Sequence, residues 1–262
     1  MKNVKLTLIL IFCLLLNAGY SQIEFSVGYS HTKPKYPSFT SFTNSMVSYY
    51  GQFSENIIQE VEPYYNSGSL HYEAGFQLLF MELLFSYNRV NTCTSIKYTT
   101  GDRRQFDITQ NCFNTVAGFG YGNEYFGIFA TGGFCSGVVR VDSYFVYPDG
   151  TINNGYYYGL NGKYRSYTTI QGVGGLHVYL TAKKFGLFAR AEWLAGDNSS
   201  DLNDPHYMYV LKGSLDNSYL PQEYEDFEYE PFGEDDQVVK SDLKGFRLTV
   251  GIRFHILSDE WN

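Results

Sequence analysis

The sequence has little from which a membrane-crossing helix or a ligand motif could be built. Beyond its N-terminus it holds no run of about 18 apolar residues, so no later segment crosses a bilayer as a helix. Four cysteines in 262 residues exclude a disulfide-dense small fold. Charged residues make up only 18% of the chain, and the formal net charge of −8 argues against nucleic acid or an anionic surface as partner. There is no glycine-rich phosphate loop, no C-x-x-C pair, no basic stripe and no D-x-D-x-D-G calcium loop. No cofactor, resident metal or catalytic residue is therefore expected.

Residues 1–21 read as a secretory leader. Lys2 and Lys5 give a basic start, Leu6–Leu16 is an apolar core of 11 residues, and Gly19 and Ser21 are small residues at −3 and −1 before Gln22. Cys13 follows Phe12, which is too large for a lipoprotein site. Removal of the leader takes the net charge from −8 to −10 and leaves Cys93, Cys112 and Cys135, an odd number for an oxidising compartment.

What the chain has in quantity is tyrosine (25), phenylalanine (21) and glycine (26), in alternating patterns. The clearest is Lys244–Leu257, KGFRLTVGIRFHIL. Phe246, Leu248, Val250, Ile252, Phe254 and Ile256 form one face; Arg247, Thr249, Gly251, Arg253 and His255 form the other. A period of two over this length is a β-strand with one oily and one polar face. Seven further strands follow from the same pattern: Ile23–Ser30, Leu70–Phe80, one starting at Met81 and running towards Lys97, Gln110–Tyr121, Glu124 to about Tyr147, Tyr167–Leu180 and Phe185–Ala195. The Phe80–Met81 turn has no Gly, Pro or Asn; the alternative is one long strand and seven in all. The apolar set changes parity there, as a two-residue turn demands. Gly122-Asn123 and Pro148-Asp149-Gly150 read as turns. Ser54–Val61 reads as a short helix within a long non-periodic stretch, His31–Ser69.

Connections then alternate long, short, long, short, long, short, long. With no membrane helix available, a chain entering a bilayer closes a barrel. The expected fold is all-β: an eight-stranded antiparallel up-and-down transmembrane β-barrel with long extracellular loops, spanning residues 22–262. A secreted soluble barrel with the oily set inward is the competing reading. The polar face is poor in lysine and its charges are few, which favours lipid outside.

In this architecture the chain resembles the small eight-stranded outer-membrane barrels of the OmpA and OmpX type, over about Gln22–Leu257. Gly19-Tyr20-Ser21-Gln22 is similar to the leader ends of Bacteroidota barrel proteins. The resemblance implies the outer membrane as location, with the bilayer, lipopolysaccharide and the barrel-assembly machinery as partners, and a monomer. Such proteins commonly end on an aromatic residue; here Phe254 is followed by Ser258–Asn262, with Trp261 the other candidate.

Two clusters are candidate sites. Glu24, Glu73, Glu82, Arg190, Glu192, Arg247 and Arg253 share inward parity, with His71, His177 and His255. An eight-stranded barrel is filled by side chains, so these charges are expected to pair as a structural plug; a narrow pore is the alternative. Between Asp216 and Asp236 stand nine carboxylates and no Lys or Arg: Asp216, Glu223, Glu225, Asp226, Glu228, Glu230, Glu234, Asp235 and Asp236. This segment is a solvated loop, or a cation- or partner-binding one. A lipid A-modifying rim enzyme would need a serine, a base and a carboxylate; His71 beside Glu73 is the only suggestive pair. Cys112 and Cys135 fall near one another as diagonal neighbours, Cys112 facing Gly133. The expected role is structural, adhesive or surface-binding, towards an unidentified extracellular ligand.

Overall fold

The computed structural model describes residues 22–44, 58–78, 80–153, 161–182, 184–195 and 243–256. The leader, the acidic stretch Asp216–Asp236 and the tail with Trp261 lie outside them. The described residues form ten strands: β1 Gln22–Lys35, β2 Ile58–Val61, β3 Ser67–Gln77, β4 Met81–Tyr98, β5 Arg103–Gly122, β6 Phe126–Val146, β7 Ile152–Asn153, β8 Gly162–Ala182, β9 Phe185–Ala195 and β10 Lys244–Ile256. Eight of them close a barrel in the order β1-β3-β4-β5-β6-β8-β9-β10, every neighbour antiparallel, with β10 returning to β1. The short β2 and β7 pair with the far ends of β4 and β6.

Both chain ends of the barrel and the three short connections lie at one end, the turn end. The other, loop end carries the longer connections. Leu78 and Met81 exchange hydrogen bonds of 2.7 and 3.4 Å, so the β3–β4 turn exists but lies between Gln77 and Met81, earlier than Phe80–Met81. The β5–β6 turn also differs from expectation. Asn123 Oδ1 accepts from the backbone N–H of Tyr125 (2.8 Å) and Phe126 (2.9 Å), putting Glu124-Tyr125 at the tip instead of Gly122-Asn123. The side-chain cap outcompetes the glycine. Register shifts by four residues, Cys112 faces Gly137 and not Gly133, and Tyr125 points outward.

At the loop end of β4 and β5, length is carried as strand and not as loop. β4 and β5 run on well past the apolar band to a tight turn at Gly101, whose φ of +89° suits glycine. The stretch expected as a helix, Ser54–Val61, ends instead as β2; a helix occupies residues 37–44. It begins on Pro37, which is preset for a first helical turn.

Polarity is inverted relative to a soluble barrel. Phe246, Leu248, Val250 and Ile252 are 37–59% exposed, while Arg247, Thr249 and Arg253 between them are 0% exposed. Other strands repeat this: Ile23, Phe25, Val27 and Tyr29 face out while Glu24, Ser26 and Ser30 are buried. Aromatic rows edge the oily wall. Trp193 meets Phe246 at 5.3 Å and Tyr87 meets Phe113 at 4.9 Å towards the loop end; Phe185–Phe254 (5.2 Å) and Tyr121–Phe126 (5.6 Å) edge the turn end. From Phe246 to Phe254 is about 27 Å of strand, or about 20 Å of height at a tilt near 40°, close to the apolar band of an outer-membrane barrel.

Candidate functional site

Inward parity brings the seven lumen charges together with no exposed side-chain surface. Arg247 sits opposite Glu192 across β10–β9, and its Nε donates to Glu192 Oε2 at 2.8 Å. Its two terminal nitrogens reach across the lumen to Asn88 Oδ1 (2.7 Å) and Asn114 Oδ1 (3.0 Å) on β4 and β5. Arg190 pairs with Glu73 on β3 and lies 3.9 Å from Glu192. Arg253 pairs with Glu24 on β1, donates to Gln77 Oε1 at 2.9 Å and stands over the Tyr179 ring at 3.5 Å. The fourth carboxylate, Glu82, faces His177 Nδ1 at 2.9 Å. Arg247 and Arg190 thus tie strands across the lumen, and Arg253 ties β10 to β1 and β3 beside it. The network joins β1, β3, β4, β5, β8, β9 and β10.

Close approach inside the wall requires small residues. Gly28 and Gly251 face each other across β1–β10, with the Phe188 ring laid over both. A methyl at Gly251 would fall 2.6 Å from Phe188 Cε1 and 2.5 Å from Gly28 Cα.

Towards the loop end the lumen turns apolar, against the expectation of a polar interior throughout. Tyr36, Phe39 and Phe42 from the 36–44 segment are buried against Val90, Ile96, Phe106, Ile108, Val139 and Val141. Phe39 lies 5.4 Å from Phe42 and 5.1 Å from Phe106, edge-on. Tyr36 anchors the helix start, its hydroxyl donating to Gln110 Oε1 at 3.3 Å. This cap was missed because the segment has no strand period. The available signal was Pro37 followed by phenylalanines three apart, Phe39 and Phe42, which share a helical face.

Beyond the apolar band, Lys97 Nζ bonds Glu62 Oε1 at 2.5 Å and Ser95 Oγ donates to Glu62 Oε2 at 2.5 Å. These bonds, Lys97's first, hold the Glu62 carboxyl below its usual range. Burial pushes the nearby Cys93 thiol up. Cys93, Cys112 and Cys135 are all free thiols, the last two buried in the lumen on neighbouring strands. Cys93 faces Asp107 across β4–β5.

His71 does not lie at the rim. It is fully buried in the lumen, Nε2 3.4 Å from Glu73 Oε2 beside Arg190. Its parity turns it inward, and the strands above it extend the barrel wall past it. Among the described residues there is no group of three or more His, Cys, Asp or Glu placed to hold a metal ion.

Fold and site define a class, the closed eight-stranded antiparallel barrel with an oily outer wall and an ionic lumen. No family model matches the chain, and no curated protein matches it. Among solved structures it is similar to Ail, the attachment invasion locus protein of Yersinia pestis, with TM-score 0.42 and 9% identity over 90% of this chain and 99% of that one. Ail in complex with the heparin analogue sucrose octasulfate gives TM-score 0.40 and 10% identity over the same shares. The barrel rests on the strand pairings described above, independently of this likeness.

Proposed function

We propose that the chain is an integral outer-membrane protein of the small OmpA/OmpX-like kind, working as a closed, charge-plugged barrel. It holds its loop end outside the cell for envelope integrity, adhesion or binding of an extracellular ligand. The observation that carries this is the inversion: a continuous wall of exposed Phe, Leu, Ile and Val around three arginines with no exposed surface. In water the outer wall would cost about 25 cal/mol for each Å² of apolar surface left exposed. In hydrocarbon it costs nothing of the kind, and the closed hydrogen-bond ladder meets the rule that lipid-facing backbone be internally satisfied. The partners are accordingly the bilayer, lipopolysaccharide and the barrel-assembly machinery, with a monomer as the working unit.

A narrow pore is the second reading, since the lumen is lined with charge. Two features weigh against it. Arg190, Arg247, Arg253 and Glu192 are 0% exposed, where a water-filled path would wet them, and the Tyr36–Phe42 cap crosses the loop end. A lipid-modifying enzyme is not favoured either, because His71 and Glu73 are sealed from lipid and solvent. Extraction from outer-membrane fractions with heat-modifiable gel mobility tests the barrel. Planar-bilayer recording tests the plug: no discrete conductance is expected, and stable single-channel steps would return the pore to first place.

A further inference from the structure

β1 outruns β3. Its pairing with β3 stops at Thr32 opposite Ser67, while its pairing with β10 continues to Lys35 opposite Lys244. Past Thr32 that edge of β1 faces residues 61–64, which bond along β4 instead: Glu62 N–H donates to Ser95 O at 2.8 Å and Tyr65 N–H to Cys93 O at 3.3 Å. The barrel wall is parted at this seam. A cleft of about 600 Å³ lies in it, lined by Lys33 and Lys35 on one side, Val61, Pro63 and Tyr64 on the other, and Thr40 of the capping helix. That volume is in the range of small-molecule sites, and the lining is largely apolar.

The mouth is cationic. Lys33 and Lys35 are exposed, and among the described residues neither has a carboxylate partner. The carboxylate across the cleft, Glu62, is already engaged by Lys97 and Ser95. In a chain of net charge −8 this is a local excess of positive charge. Its depth is fixed by register: Lys33 is opposite Phe246, whose ring meets Trp193, so the lysines stand on and just beyond an aromatic row. Such rows lie at headgroup level, and lysine stems carry their ammonium groups up to the phosphates there.

We infer that this cleft binds one phosphorylated lipid of the outer leaflet, its phosphate held by Lys33 and Lys35 at the cleft's mouth and its acyl chains in the bilayer below. The inference rests on the membrane-spanning reading above. The acidic segment Asp216–Asp236 is the competing occupant, since its charges also complement the lysines. The lipid is favoured by depth, because the lysines stand at the aromatic row, the level of the outer-leaflet phosphates.

The test is native mass spectrometry of the full chain from nanodiscs of phosphatidylcholine doped with monophosphoryl lipid A. One phosphorylated lipid should stay bound per barrel, its dephosphorylated counterpart should not, and excess inorganic phosphate should leave it in place. Lys33→Gln/Lys35→Gln should weaken retention about 30-fold, at roughly fivefold per lysine, and Lys33→Arg/Lys35→Arg should restore it. Equal retention without the phosphate or without the lysines overturns the site. So does displacement by inorganic phosphate, or retention that appears only after the acidic segment is neutralised to Asn and Gln. Heat-modifiable mobility on the same samples separates the two levels: an inserted barrel that holds no lipid refutes the site alone, and a chain that does not insert refutes the reading beneath it as well.

Discussion

Arg247→Met removes the guanidinium that joins β10 to β9, β4 and β5 and leaves its partners in place. Glu192 loses its 2.8 Å bond, and Asn88 and Asn114 lose a charged donor, all at full burial. Breaking one side of a buried ion pair costs about 3–5 kcal/mol. Arg190, 3.9 Å from Glu192, still compensates part of the stranded charge, so the lower end applies, about 3 kcal/mol or over a hundredfold in the folding constant. Glu192→Gln in the same chain removes the stranded carboxylate, so the double variant should recover at least about 1.5 kcal/mol. The assay is equilibrium urea unfolding in phosphatidylcholine vesicles, read by tryptophan emission in a Trp261→Phe background. That leaves Trp193, lipid-facing and next to Glu192, as the only probe. An Arg247→Met cost below about 1 kcal/mol, or a double variant that costs the sum of the two singles, would refute the reasoning.

Gly251→Ala should cost about 2 kcal/mol or prevent closure, because the new methyl meets Gly28 Cα and the Phe188 ring; a fully heat-modifiable, equally stable variant would contradict this. Phe42→Ala should destabilise by about 3 kcal/mol and raise amide exchange across residues 37–44 first, and unchanged protection there would show that the cap does not hold the helix. The Glu62–Lys97 contact carries a pH dependence. Because the folded carboxyl titrates below its ordinary value, its stabilisation is present above the unfolded pKa and is lost as pH falls through the lowered folded one. Exchange at Glu62 N–H, bonded to Ser95 O, should therefore match its intrinsic pH trend from pH 8 to 6 and lose protection only below the ordinary carboxyl range, and Glu62→Gln should remove that loss.

The strands were legible because period two survives wherever one face meets lipid: β9 begins and ends where the pattern places it, and β10 does so within a residue. Boundaries at the loop end were not, because β4, β5 and β6 leave the apolar band there and carry polar or charged residues outward, such as Arg89, Asn91 and Arg140. Alternation then no longer separates strand from loop. Inward parity put Arg247 on the same side as Glu192, and Arg253 as Glu24, since closure is a topological consequence of the chain order. The asparagine acceptors of Arg247 depend on reach across the lumen, which no linear pattern encodes. Turn registers failed for a local reason: a side-chain cap by Asn123 decided the β5–β6 hairpin against the glycine beside it.

Site-directed spin labelling along β10 in lipid vesicles tests the inversion most directly. Cysteines placed singly at the outward positions 246, 248, 250 and 252 would be labelled and their accessibility to dissolved oxygen and to a water-soluble nickel complex compared. High oxygen contact with little nickel contact at all four is the expected result. Shielding from both quenchers at these positions, or free nickel access to them, would contradict it.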